Sequence, residues 1–260
     1  MPQLLTSDER ARLRAHLLST LVAGPTKTAR SNVVRNAELL AAGDPDKSLG
    51  LTFPGLDVHE VMDAVAALCG CSADPREREG PGQIEPDRTI DAVEALALRL
   101  AKAGERGETL LVCTGHPTAL LPMYMAVVRV LGRCGCKVLM PRQEERLGGM
   151  LRGRRLGIRY FDGVGVLTDR VSLLHTHESW PMDALLDAGE TPDLVLADHG
   201  FAGAAVARGI ETVAFSDVND PALAVAKARR QIEVLVPLDD NVPPDDYEPI
   251  TRVLIRTIRG

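Results

Sequence analysis

The chain has 260 residues, 45% of them hydrophobic and 25% charged, with a formal net charge of -6. That length and balance give a globular protein enough apolar residues to bury a core and exclude general disorder. The acidic balance and an aromatic content of 3% exclude a whole-molecule electrostatic or base-stacking grip on nucleic acid, so no nucleic-acid partner is expected.

The opening stretch turns charged at Asp8-Glu9-Arg10 before any long apolar run forms, so no secretory signal is expected and a cytoplasmic protein is. Thr6 and Glu9 have capping-box spacing ahead of a helix that carries Leu13, Leu17 and Leu21. Gly24 to Gly50 reads as polar and irregular, with Lys27, Arg30, Arg35 and Lys47 as cations that could close on a phosphate. A second helix is expected from Asp57, with Glu60 spaced to complete a capping box and Val58, Val61, Met62, Val65 and Leu68 as its apolar stripe. Ser72 to Asp87, rich in charge, Pro and Gly, reads as a linker. Ile90, Val93, Leu96 and Leu100 then mark a long helix.

From Leu110 the pattern changes. Apolar runs at Leu110–Thr114, Lys137–Met140, Asp193–Ala197, Thr212–Phe215 and Glu233–Val236 alternate with amphipathic segments, as buried parallel strands with crossover helices do. Ile158 to Thr168 alternates around Asp162-Gly163, a hairpin signal. Thr109 to Val128 is long enough to span a membrane, but Gly115-His116-Pro117 breaks it in the middle, so no membrane partner is expected. The fold class predicted is α/β: a doubly wound, mostly parallel, Rossmann-like sheet at 81–260 behind a helical N-terminal cap region at 1–80. A homo-oligomer is compatible with the sequence.

Each strand is followed by turn-forming polar residues: Thr114-Gly115-His116-Pro117, His175-Thr176-His177-Glu178, Asp198-His199-Gly200, Asp217-Val218-Asn219-Asp220 and Asp239-Asp240-Asn241. Ligands bind at the carboxyl edge of open parallel sheets, and right-handed crossovers put those edges together. His116, His175, His177 and His199 should therefore meet there with Asp198, Asp217 and Asp240. Asp220-Pro221 reads equally well as an ordinary helix start. His175 and His177 share a face if extended, so they suit a metal or simply flank a loop. The turn at Thr114, Gly115 and Thr118 leaves backbone N–H groups for an anion. Recognised fingerprints are missing: no G-x-x-x-x-G-K-[ST], no G-x-G-x-x-G after a strand, no G-x-S-x-G and no H-E-x-x-H. Cys113 beside His116 leaves a thiolate nucleophile open, and the pairs Cys69/Cys71 and Cys134/Cys136 read as helix-end residues beside Gly caps. The arginines between Arg142 and Arg159 form a second basic segment of unassigned role.

LTFPGLDVHEVMDAV (51–65), TGHPTALLPMY (114–124), LADHGFAGAA (196–205), SDVNDPALAVA (216–226) and PLDDN (237–241) together resemble a poorly characterised, mainly actinobacterial family described broadly as phosphatases. That resemblance, which covers nearly the whole chain, implies hydrolysis of phosphate esters. From the residues, the expected chemistry is metal-assisted hydrolysis of a small phosphate monoester such as a sugar or nucleoside phosphate. Asp198, Asp217 and Asp240 would supply oxygens to a divalent metal, foremost Mg²⁺, with Mn²⁺ or Zn²⁺ as alternatives. His116 or His199 would move the proton, and Asp198 would assist. Thr114, Gly115, Thr118, Arg30, Arg35, Asn219, Asn241, His175 and His177 would bind the phosphorylated metabolite. A non-hydrolytic lyase, isomerase or transferase on the same ligand is a second expectation, and a non-catalytic metabolite-binding protein a third.

Overall fold

A computed structural model describes residues 4–143, 145–151 and 153–260. The first helix, α1 (Ser7–Thr20), starts with the expected reciprocal cap: the Thr6 side chain accepts from the Glu9 N–H and the Glu9 carboxylate accepts from the Thr6 N–H. The segment read as irregular folds instead. It forms a strand, β1 (Gly24–Ala29), a helix, α2 (Arg30–Ala41), and a single turn, α3 (Pro45–Ser48), capped by Asp44. The signal for α2 was present as Val33, Val34, Ala37 and Leu40, all buried on one face. In α4 (Val58–Cys69), Asp57 accepts from the His59 and Glu60 N–H groups. The Glu60 carboxylate pairs with Arg229 and so does not close the box expected of it.

The expected linker is also structured. Within it lie β2 (Pro81–Ile84) and the start of α5 (Pro86–Arg106). β2 pairs antiparallel with β1, Gly24 opposite Ile84, so this pairing joins the segments on either side of residue 80.

The remaining elements are β3 (Thr109–Thr114), α6 (Pro117–Arg133), β4 (Lys137–Val138), β5 (Arg146–Leu151), β6 (Arg154–Phe161), β7 (Val164–Thr168), α7 (Trp180–Leu186), β8 (Leu194–Asp198), α8 (His199–Ala207), β9 (Thr212–Ser216), α9 (Pro221–Ala228), β10 (Val234–Pro237) and α10 (Glu248–Arg259). Among the described residues, the main sheet runs β10-β9-β8-β3-β7-β6-β5, with β4 beside the start of β3. β10, β9, β8, β3 and β7 are parallel; β6 and β5 are antiparallel additions. The chain is thus an α/β protein with a mixed, mostly parallel central sheet. β6 and β7 are joined by the expected two-residue turn, with Asp162 and Gly163 both at positive φ, the backbone that Asp-Gly favours in tight hairpins.

Two features of this sheet position the site. Parallel strands β3, β8, β9 and β10 carry Thr114, Asp198, Ser216 and Pro237 at their carboxyl ends, hence on one edge. β3 also sends its crossover α6 to β4, on the β7 side, whereas its neighbour β8 sends α8 to β9, on the opposite side. Where neighbouring strands diverge in this way a crevice opens beyond their carboxyl ends. Among the described residues no helix is long and apolar enough to cross a membrane.

Candidate active site

The turn after β3 is fixed by its own backbone. The Thr114 hydroxyl accepts from the His116 N–H (3.0 Å), and the Gly115 N–H donates to Asp198 Oδ1 (2.7 Å). The Gly115 carbonyl accepts from the Thr176 N–H (2.9 Å), which brings the loop after β7 to the same edge. A Cβ at Gly115 would stand 2.6 Å from the Thr176 carbonyl oxygen and 2.9 Å from the His199 Cβ, so this approach requires glycine.

Asp198 is buried and fully committed. Besides Gly115, it accepts from the Tyr124 hydroxyl (2.9 Å) and faces His199 Nδ1 at 2.7 Å. His199 stands in the left-handed region at φ 48, a costly backbone for a non-glycine residue that persists where surrounding contacts enforce it. The result aims its Nε2 at Asp240 (3.4 Å) and Asp220 (3.6 Å).

The four histidines meet as expected. His116 and His175 stack at 4.4 Å with ring planes 4° apart. His199 lies 5.0 Å from both His175 and His177. Asp240 Oδ1 is 3.3 Å from His116 Nδ1, yet the two lack hydrogen-bond alignment, and buried His116 Nδ1 and Asp240 Oδ2 have no hydrogen-bond partner. Three groups of donors, each with its atoms within 4.8 Å of one another, result: His116/His175/His199, His177/His199/Asp220 and Asp217/Asp239/Asp240. Asp198 belongs to none of them. Its Oδ1 instead holds the His199 ring in place through Nδ1.

Asp220 is where the structure decides between two sequence readings. α1, α3 and α4 are capped by side chains, whereas α6, α8 and α9, which rise from this edge, have no side-chain cap. The Asp220 carboxylate turns to His199 instead of to its own helix.

The electrostatics follow from burial. Desolvation opposes charge on His199, but Asp220, Asp198 and Asp240 outweigh it and hold the imidazolium up to about 10. Desolvation and the three other imidazoles drive His175 down to about 4. Burial, then Asp240 and Asp239, push Asp217 well above the carboxylate range. Burial raises Asp220 and Asp239 too. Burial also acts against charge on Asp240, but His116, His199 and His175 overcome it and keep this carboxyl low. Gathering Asp198, Asp217, Asp220, Asp239 and Asp240 at one buried edge costs several kcal/mol per uncompensated charge.

Several sequence candidates are not part of the donor groups. Arg30 does not grip phosphate: its buried guanidinium donates to the carbonyls of Glu77, Ser72 and Asp74. Arg35 is exposed on α2, and Thr118 is exposed in the first turn of α6. The exposed Asn241 uses its backbone N–H to cap Asp239 Oδ1. Asn219 Nδ2 reaches Thr28 and Asn32. Arg142, Arg146, Arg154, Arg155 and Arg159 lie along the β5–β6 edge, mostly exposed; Arg152 falls outside the described residues. Cys113 is buried, and burial together with Asp198 drives its thiol pKa far up, which leaves no thiolate. The sequence reading missed Asp46 and offered Lys47 only as one of four cations that could close on a phosphate. Asp46 lies 3.4 Å from His177 Nδ1, and Lys47 pairs with Asp46 at 2.6 Å. Only the fold could show this, because α3 lies more than a hundred residues from His177.

A model of the family described as Phosphatase matches residues 8–259. The chain belongs to that family. It is also 38% identical over 258 residues to "Phosphatase SCO2771" of Streptomyces coelicolor, with 96% of each chain covered. No solved structure matches it significantly.

Proposed function

We propose that the protein is a metal-assisted phosphatase of small phosphate monoesters, such as sugar or nucleoside phosphates, and that the edge formed by β3, β8, β9 and β10 is its active site. The observation that carries this reading is an imidazole–carboxylate cluster, with His116, His199 and its carboxylates buried, His177 half-buried and His175 exposed, that holds unpartnered donor atoms at the point where the crossovers diverge, in a chain of the Phosphatase family. The residues fit a divalent cation. His116, His175 and His199 would hold it, with Asp198 fixing His199 from behind. An imidazole set suits Zn²⁺ better than the Mg²⁺ expected from carboxylates alone. When bound, such an ion polarises a phosphoryl oxygen and lowers the pKa of water.

The chain's own groups supply the rest. The uncapped first turns of α6, α8 and α9 present N–H groups and positive dipole ends to phosphate oxygens. Lys47 takes the place expected for Arg30 and Arg35 as the cation closing on the ester. His177, half-buried with Asp46 behind its Nδ1, gives a proton to the leaving oxygen. The test is inorganic phosphate release from a panel of sugar and nucleoside monophosphates, using chelator-stripped protein with Zn²⁺, Mn²⁺ or Mg²⁺ restored. Release that disappears on stripping and returns with the metal is expected. No release from any substrate under any metal rejects the reading.

A further inference from the structure

The third donor group has no place in the proposal above, and it differs in kind from the other two. Asp217, Asp239 and Asp240 are at most 5% exposed, and their carboxylates come together from the ends of two different strands, β9 and β10. Ordinary structural work accounts for part of what they do. Asp217 accepts from the Val218 N–H and the Thr28 hydroxyl. Asp239 accepts from the N–H groups of Asn241 and Lys27. Neither has an ion-pair partner among the described residues. Asp240 has no such occupation: its Oδ2 is buried, without a hydrogen-bond partner, and 3.4 Å from His199 Nε2. Its Oδ1 faces His116 Nδ1 at 3.3 Å. Asp240 therefore stands between the oxygen group and the imidazole group, one carboxylate common to both.

We propose that Asp217, Asp239 and Asp240 form a second divalent-cation site, built of oxygens only, next to the imidazole site and joined to it through Asp240. The inference rests on the reading that the imidazole group holds a cation. Oxygen-only donors select a hard ion such as Mg²⁺ or Mn²⁺, whereas imidazoles favour Zn²⁺. Paired ions in phosphoryl-transfer sites lie roughly 3.5–4 Å apart, a separation that one carboxylate can span.

The experiment counts metals in the full chain. Chelator-stripped protein is equilibrated with Zn²⁺ and Mg²⁺ together, freed of excess ion, and analysed by mass spectrometry of the elements. The wild type should carry one of each. Asp217→Asn should lose the Mg²⁺ and keep the Zn²⁺, and His175→Ala should do the reverse. With Mn²⁺ alone, the wild type should give the broadened paramagnetic resonance of two coupled ions, and Asp217→Asn the six-line signal of one. If Asp217→Asn fails to fold by circular dichroism, Asp239→Asn makes the same comparison. One ion per wild-type chain that survives either Asn variant overturns the second site, as do two ions that both survive. One ion that disappears in Asp217→Asn keeps the oxygen site and rejects the imidazole one. Two bound ions without phosphate release would reject the phosphatase reading and leave the second site standing.

Discussion

His177 is the histidine of the cluster best placed to trade a proton with a ligand. His116 and His199 are buried, and desolvation together with the other imidazoles holds His175 neutral near pH 7. His177 is half-buried, with a carboxylate at its Nδ1. A proton donor matters most where the departing oxygen is a poor leaving group. His177→Asn is therefore expected to slow hydrolysis of a sugar phosphate by about 10²–10⁴-fold and to leave p-nitrophenyl phosphate, whose phenolate departs unaided, nearly unchanged. Equal losses in kcat for both esters would remove the donor role. At this scale the sequence was informative where a strand-end position already puts a residue at the shared edge, as for His116, His199 and Asp240. It was silent where one residue type serves two ends. Asp220 reads as a helix cap until its carboxylate is seen to face His199. Arg30 reads as a phosphate ligand until three carbonyls, 42 to 47 residues further along the chain, are seen around it.

Elements differ in how their helices begin. α1, α3 and α4 close their first turns with Thr6, Asp44 and Asp57, whereas α6, α8 and α9 at the edge, like α2, α5, α7 and α10, have no side-chain cap. Some buried polar groups elsewhere are satisfied by long-range straps, and Arg30 is one. It ties the first turn of α2 to the loop ahead of β2, while its backbone N–H donates to the Gly80 carbonyl. Arg30→Met removes the guanidinium and leaves the carbonyls of Ser72, Asp74 and Glu77 short of a donor. Charged hydrogen bonds of this kind contribute about 1.5–3 kcal/mol each, and a strap with several should cost at least that in unfolding free energy. kcat and KM of the folded variant should stay within about twofold of wild type, since the strap lies outside the donor cluster. Denaturant melts and steady-state kinetics check both halves; a KM raised tenfold at unchanged stability would restore Arg30 to the phosphate site. The parallel strands β3, β8, β9 and β10 were legible because each is a continuous apolar run ending in a turn, whereas β5, RLGGML and mostly exposed, was read only as part of a basic segment. β1 and β2 were not legible, because GPTKTA and PGQI have neither alternation nor an apolar face. They exist as a pair, joined across some sixty residues, and single-segment patterns hold no trace of that contact.

For the whole molecule, the sheet gathers its negative charge at one edge, and this couples stability to cations and to pH in a direction that can be worked out. Burial raises Asp217, Asp220 and Asp239 above their unfolded values. As pH climbs past about 3.9, the unfolded chain releases these protons while the folded protein keeps them. These three groups thus contribute stability that the metal-free protein loses with rising pH until their folded-state values are passed. Divalent cations compete with protons for the same oxygens, and also with the proton that the carboxylates hold on His199 up to about 10. His175, driven down to about 4, is already free to ligate and sets no limit in this range. The stabilisation by a cation present at a hundred times its dissociation constant is about 2.7 kcal/mol, but that constant itself tightens as the competing protons leave. At a fixed metal concentration, the rise in Tm caused by Mn²⁺ or Zn²⁺ should therefore be small near pH 5 and grow steadily toward about pH 7.5. Paired thermal melts with and without metal across that range measure it. An increment that is constant, or larger on the acid side, would mean that the cation binds somewhere other than this carboxylate and imidazole edge.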